Sequence, residues 1–143
     1  MTQEADLKVG GLSIWAVSRQ FPDDQDYWDG NWLCVRAVLE APGCYVETSG
    51  SFVRNDEIAA FAEQLVRLEA ELKGTASLQC MEPTLQVSVQ CRSPGHVGVT
   101  ISLTPDHMTQ SHEVSFEIDQ TYLKAVLRGC RGLLERFPVR GSP

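Results

Sequence analysis

Three runs in the second half of the chain alternate apolar and polar residues with a period of two: Leu85, Val87, Val89, Cys91; Val97, Val99, Ile101, Leu103; and His112, Val114, Phe116, Ile118. The positions between them are mostly Ser, Gln, Thr, Gly and Glu. Successive strand side chains point to opposite faces, so this pattern predicts an antiparallel meander with one wet face. Ser93-Pro94-Gly95 and residues 104–111 connect its strands, and a short strand over 76–81, ended by Glu82-Pro83, precedes it.

The first half reads differently. Residues 7–18 are strand-like, interrupted by Gly10-Gly11 as a bulge or a tight hairpin. Residues 19–31 form a loop in which Asp29-Gly30 is a turn signal. Residues 32–40 are apolar on both parities (Leu33, Val35, Ala37, Leu39 against Trp32, Cys34, Val38), the pattern of a strand covered on both faces. Pro42-Gly43 turns the chain into a second strand over 44–53, making 31–53 a hairpin.

Two segments carry a helical period instead. Ile58, Phe61, Leu65, Leu68 and Leu72 fall on one narrow stripe, predicting a helix over 56–73 with Asn55 as N-cap, acids in the first turn and Gly74 as the stop. Leu123, Val126, Leu127, Cys130, Leu133, Leu134 and Phe137 do the same over 120–137, with Asp119 as cap and Pro138 as terminator. The predicted order is β–β–β–α–β–β–β–β–α. This is an α+β fold in which an antiparallel sheet of about six to seven strands carries two amphipathic helices, within one domain spanning 1–143. Residues 139–143 are expected to fray.

Length and composition fit this reading. A chain of 143 residues with 43% hydrophobic and 22% charged residues is of ordinary globular make-up. No apolar run approaches the ~20 residues that span a bilayer. The start of the chain is polar and acidic, unlike a secretory leader, so a cytoplasmic protein without a membrane partner is expected. The five cysteines (Cys34, Cys44, Cys80, Cys91, Cys130) sit on apolar runs and are read as reduced core thiols.

Charge narrows the partners. The formal net charge is −7. An acidic body repels phosphate, which argues against nucleic-acid binding and suits a basic partner. Positive charge gathers near the end of the chain, where Lys124, Arg128 and Arg131 line one helix face. That face is read as solvated, with Arg131 pairing Glu135 one turn on.

The densest chemistry lies in Phe21-Pro22-Asp23-Asp24-Gln25-Asp26-Tyr27-Trp28-Asp29-Gly30-Asn31-Trp32-Leu33. Carboxylates want water or a cation, whereas aromatic rings want burial. Asp23, Asp24, Asp26 and Asp29 around Tyr27 and Trp28 are therefore the candidate partner-binding residues, the acids supplying a field and the rings the anchors. The plainer alternative is that Tyr27 and Trp28 pack over the sheet end while Asp29-Gly30 turns the chain.

Other chemistry finds less support. Calcium-loop spacing fails, since counting from Asp24 puts Trp28 at position 5 and Val35 at position 12. His96, His107 and His112 are spread along the chain, no Cys-x-x-Cys or His-x-x-x-His spacing occurs, and His112 is read as a hydrogen-bonded half-core residue. Gly10-Gly11 lacks the lysine and helix of a phosphate loop. No metal, cofactor or catalytic residue is therefore expected. An enzyme or small-ligand binder with a pocket between sheet and helices, holding His96 or His112 beside a cysteine or carboxylate, stays open as an alternative.

The run from Phe21 to Leu33, followed by Glu82-Pro83-x-Leu85 and by Leu134-Glu135-Arg136-Phe137-Pro138, resembles the WapI-type immunity family of bacterial cell-contact toxin systems. The resemblance implies a small cytosolic protein that binds and blocks a secreted toxin with a nuclease-like C-terminal domain. It also marks Tyr27–Trp32 as a family signature, for folding or for binding.

Overall fold

A computed structural model describes residues 3–93 and 95–143. It is α+β, but its strands divide into two antiparallel sheets of four rather than one sheet of six or seven. The first sheet has the order β1 (Leu7–Val9), β2 (Leu12–Arg19), β3 (Trp32–Ala41), β4 (Cys44–Arg54). The second has the order β5 (Gly74–Gln79), β6 (Leu85–Ser93), β7 (His96–Leu103), β8 (Glu113–Asp119). Between β2 and β3, where a loop is expected, stands a one-turn helix, α1 (Tyr27–Gly30). The longer helices are α2 (Asn55–Glu71) and α3 (Leu123–Arg136), the latter entered through a 3-10 turn over Gln120–Tyr122.

The alternating runs land as predicted. Leu85, Val87, Val89 and Cys91 pair across to Leu103, Ile101, Val99 and Val97, and all eight are buried. On β8 the apolar set is only half-buried, because β8 is an edge strand. Pro94 of the predicted turn lies outside the described residues. The inner faces of both sheets and the stripes of α2 and α3 share one continuous core that includes Leu12, Leu39, Phe61, Leu65, Ile101 and Cys130. Gly10-Gly11 makes a tight hairpin turn lying against Phe116 of β8, so it joins the two sheets; a Cβ on Gly11 would stand 2.6 Å from that ring. On β3 the outward residues Trp32, Cys34 and Arg36 are half-exposed and only Val38 is buried, so this strand is covered on one face, not two.

The helix ends depart from expectation in an instructive way. Asn55 is the first helical residue of α2 rather than its cap; Arg54 takes the cap position, and its backbone N–H donates to Glu57 at 2.8 Å. Asn55 is instead drawn to the far end of the chain, where its amide donates to the carbonyls of Phe137 and Pro138. At the other end Leu72 is the C-cap in the left-handed conformation (φ 54°), with its side chain packed on the core, and Gly74, also at positive φ (101°), begins β5. Asp119 caps as predicted, accepting the Thr121 N–H at 2.9 Å, but it caps the 3-10 turn. On the basic face, Arg131 and Glu135 form no ion pair among the described residues, and Lys124 reaches Glu69 only at 3.8 Å.

Within residues 139–143, expected to fray, one residue is held by hydrogen bonds to the body of the protein. Arg140 is tied to residues of the segment 22–31 by its backbone and by its side chain. At the same C-terminal end of α3, Asp6 ties the helix to the first sheet, accepting Arg136 at 2.7 Å and the Ala16 N–H at 2.8 Å.

Candidate partner-binding surface

Helix α1 is too short to stand alone, since one turn costs more order than its hydrogen bonds return. Tertiary contacts hold it. Asp26 caps it, its carboxylate accepting the Asp29 N–H at 3.0 Å. The carbonyls at its far end, which no further turn can satisfy, are taken by side chains of the surrounding elements. Arg54 at the end of β4 donates to the Trp28 and Tyr27 carbonyls, and Arg19 at the end of β2 donates to that of Gly30 at 2.7 Å. Asn31 adds a second donor to the Tyr27 carbonyl at 2.9 Å.

Arg54 is the centre of this arrangement and is 1% exposed. Its Nε meets Asp56 at 2.9 Å. Its guanidinium lies 5.2, 5.7 and 5.0 Å from the ring centres of Tyr27, Trp28 and Trp32. A buried cation needs both partners and π faces, and this one has them. Tyr27 closes the circuit by donating its hydroxyl to Asp56 at 2.8 Å. That bond, aided by partial burial, raises the Tyr27 pKa. The motif residues Tyr27, Trp28, Gly30, Asn31 and Trp32 thus have a folding task. Gly30 has a steric one as well, since a Cβ there would stand 2.5 Å from the Asp24 carbonyl oxygen.

The carboxylates have no such task, apart from the cap. Asp23, Asp24, Asp26 and Asp29 are all exposed and form no ion pair among the described residues. Oxygens of Asp24, Asp26 and Asp29 lie within 4.8 Å of one another, so these three are the residues that could share a cation. Trp28 stays 57% exposed, edge-on to Tyr27 at 5.0 Å, so it is not tucked beneath the acids as a packed anchor would be. The fold therefore brings Asp24, Asp26 and Asp29 together around α1, with Tyr27 and the exposed indole of Trp28 on the same helical turn and Asp23 exposed just before them. It also assembles, around the motif residue Asn31, the arginines Arg19, Arg54 and Arg140, which carry no motif of their own; the one hint in the sequence is an arginine standing inside the otherwise buried run Phe52-Val53-Arg54-Asn55.

The chain matches the model of the Immunity protein WapI-like family over residues 6–138. The chain belongs to the WapI-like immunity protein family. Comparison with curated proteins and with solved structures gives no match. Membership in an immunity family implies a protective role and a toxin partner. The matched span of this WapI-like protein includes the whole clamp around α1 except Arg140.

The remaining geometry of this WapI-like protein offers little to a reaction. Clefts of about 390 and 400 Å³ flank α3, and neither is lined by histidine or cysteine. His96 faces Asp119 across β7 and β8 and shares with Glu117 and Ser115 an open depression of about 270 Å³ on the wet face of the second sheet. His112 is half-buried and bonds to Gln110, away from any cysteine. Burial raises the thiol pKa of Cys130 to about 12 and that of Cys80 beyond it, so both remain protonated. Among the described residues, no helix is long and apolar enough to cross a membrane.

Proposed function

We propose that this chain is a non-enzymatic, cytoplasmic immunity protein that binds and blocks a basic, nuclease-like toxin domain through Asp23, Asp24, Asp26, Tyr27, Trp28 and Asp29. One observation carries the reading: an acidic turn whose main chain is clamped from inside keeps its carboxylates unpaired and outward beside a 57% exposed tryptophan. Nucleases carry positive surface to hold phosphate. A fixed acidic turn competes for that surface, steering encounter by charge, while an indole supplies area that is lost to water on docking.

The test uses the inactivated C-terminal domain of the toxin encoded beside this chain's gene. Replacing Asp24, Asp26 and Asp29 together by Asn keeps a competent cap at position 26, because Asn caps as well as Asp. The triple variant should slow association about tenfold at low salt and flatten its salt dependence. Trp28→Ala should act mainly on dissociation. Unchanged binding by the triple variant, with the fold intact, would remove this surface from the interface.

A further inference from the structure

We propose that Arg140 is a positioning residue that fixes the acidic turn in its outward, binding-competent shape; this rests on the reading just given. Four contacts converge from this one residue. Its guanidinium donates to the carbonyls of Pro22 and Asp24, both at 2.7 Å. Its backbone N–H donates to Asn31 Oδ1 at 2.8 Å, and its carbonyl accepts from Asn31 Nδ2 at 2.9 Å. Asn31 is fully buried, so its amide reads the backbone of Arg140 much as a neighbouring strand would. The Arg140 stem runs over Gly30, where a Cβ would approach it to 3.4 Å. Both ends of the segment from Pro22 to Asn31 are thus fastened by one side chain and one backbone unit.

Segments with few buried contacts open locally at low cost, and the stretch 21–26 is exposed throughout. Within it the main chain has one hydrogen bond of its own, Asp24 N–H to the Phe21 carbonyl at 3.2 Å. The Asp26 carbonyl accepts the Gly30 N–H at 3.0 Å, and Arg140 holds the Pro22 and Asp24 carbonyls. Arg140 lies outside the span 6–138 that matches the family.

The sign of the charge effect separates positioning from simple electrostatics. Arg140 is a cation beside an acidic turn. If it acted only through charge, Arg140→Ala would deepen the negative field and speed association with a basic partner. Positioning predicts the reverse. The experiment compares Arg140→Ala and Arg140→Lys with the parent chain by amide hydrogen exchange and by association with the inactivated toxin domain. In Arg140→Ala, protection at Asp24, Asp29 and Gly30 should fall about tenfold while that of Leu33 and Val35 in β3 holds, and the on-rate should drop about threefold or more. Arg140→Lys, which keeps a donor within reach of both carbonyls, should restore most of both. Unchanged exchange at the turn, or a faster on-rate in Arg140→Ala, overturns the proposal. If the parent chain does not bind the toxin domain, the functional reading fails, and the exchange comparison still decides whether Arg140 orders the turn.

Discussion

Replacing Arg54 by Met probes the clamp where it is most concentrated. Methionine matches the arginine stem in bulk and adapts to irregular space, so the change removes the cation without opening a large cavity. Three losses follow. The Trp28 carbonyl loses its guanidinium donor, whereas that of Tyr27 keeps Asn31. Leaving a buried acceptor unpaired costs about 1–3 kcal/mol. Asp56 loses its cation, but its side chain is 22% exposed and can be hydrated, which keeps this part small. The three ring contacts at 5.0 to 5.7 Å are worth about 0.5–1 kcal/mol each. Against these stands relief from burying a guanidinium, which apolar replacement returns.

The balance is a loss of about 3 kcal/mol, a large share of the 5–15 kcal/mol that holds an ordinary domain together. At a urea dependence of about 1.5 kcal/mol per molar, the unfolding midpoint should fall by about 2 M. Arg54→Lys serves as the control. It keeps the charge and the stem but not the planar fork, so it should recover only part of the loss. A midpoint shift under about 0.5 M for Arg54→Met, or a lysine variant as stable as the parent, would mean that the fork and the rings do not stabilise the fold as argued.

Two further outcomes follow from buried ionisable groups. Burial raises the Glu57 pKa despite the N–H groups of Arg54 and Met81 that bond its carboxylate, so Glu57 favours folding most when protonated, and this contribution is lost as pH rises through its folded pKa. Glu57→Gln should therefore gain on the parent, in urea midpoint, between pH 4 and pH 7; a difference that stays constant or moves the other way refutes this sign. The native chain should react with a thiol reagent at Cys34 and Cys44, which are half-exposed, while Cys80, Cys91 and Cys130 react only on unfolding, and fast labelling of a third thiol would contradict their burial.

Period-two and 3.6-residue patterns made the strands and long helices legible, because burial on one side repeats along the sequence. The division into two sheets left no such mark. The strands of both sheets turn one face to the same core, and only pairing partners assign them to one sheet or the other. Helix α1 was invisible for another reason: its four residues are too few to show a period, and its stability comes from Arg19 and Arg54, which lie in flanking strands. The cap misassignment at Asn55 has the same origin. Local chemistry favours Asn as a cap, but its amide is engaged by carbonyls 82 and 83 residues away. Arg140 stands between Val139 and Gly141 in a short tail, which reads as frayed until its partners 116 and 118 residues back are known.

The segment from Asp23 to Trp32 need not be divided between folding and recognition as rival uses. Its inward chemistry is main-chain carbonyls and ring faces, and these are consumed by Arg19, Arg54 and Asn31. Its outward chemistry is side-chain carboxylates, and folding consumes only one Asp26 oxygen of these. A turn held by its backbone can vary its side chains without losing its shape, which is what a surface adapted to one partner requires. Three guanidiniums close beneath the turn weaken its field, yet they fix the carboxylates in place, and a preorganised charge loses less entropy on docking than a mobile one. Substitutions on the inward side should therefore change stability and binding together, whereas Asp→Asn changes on the outward side should alter association alone. A set of variants in which both sides move both quantities alike would show that the two roles share the same atoms.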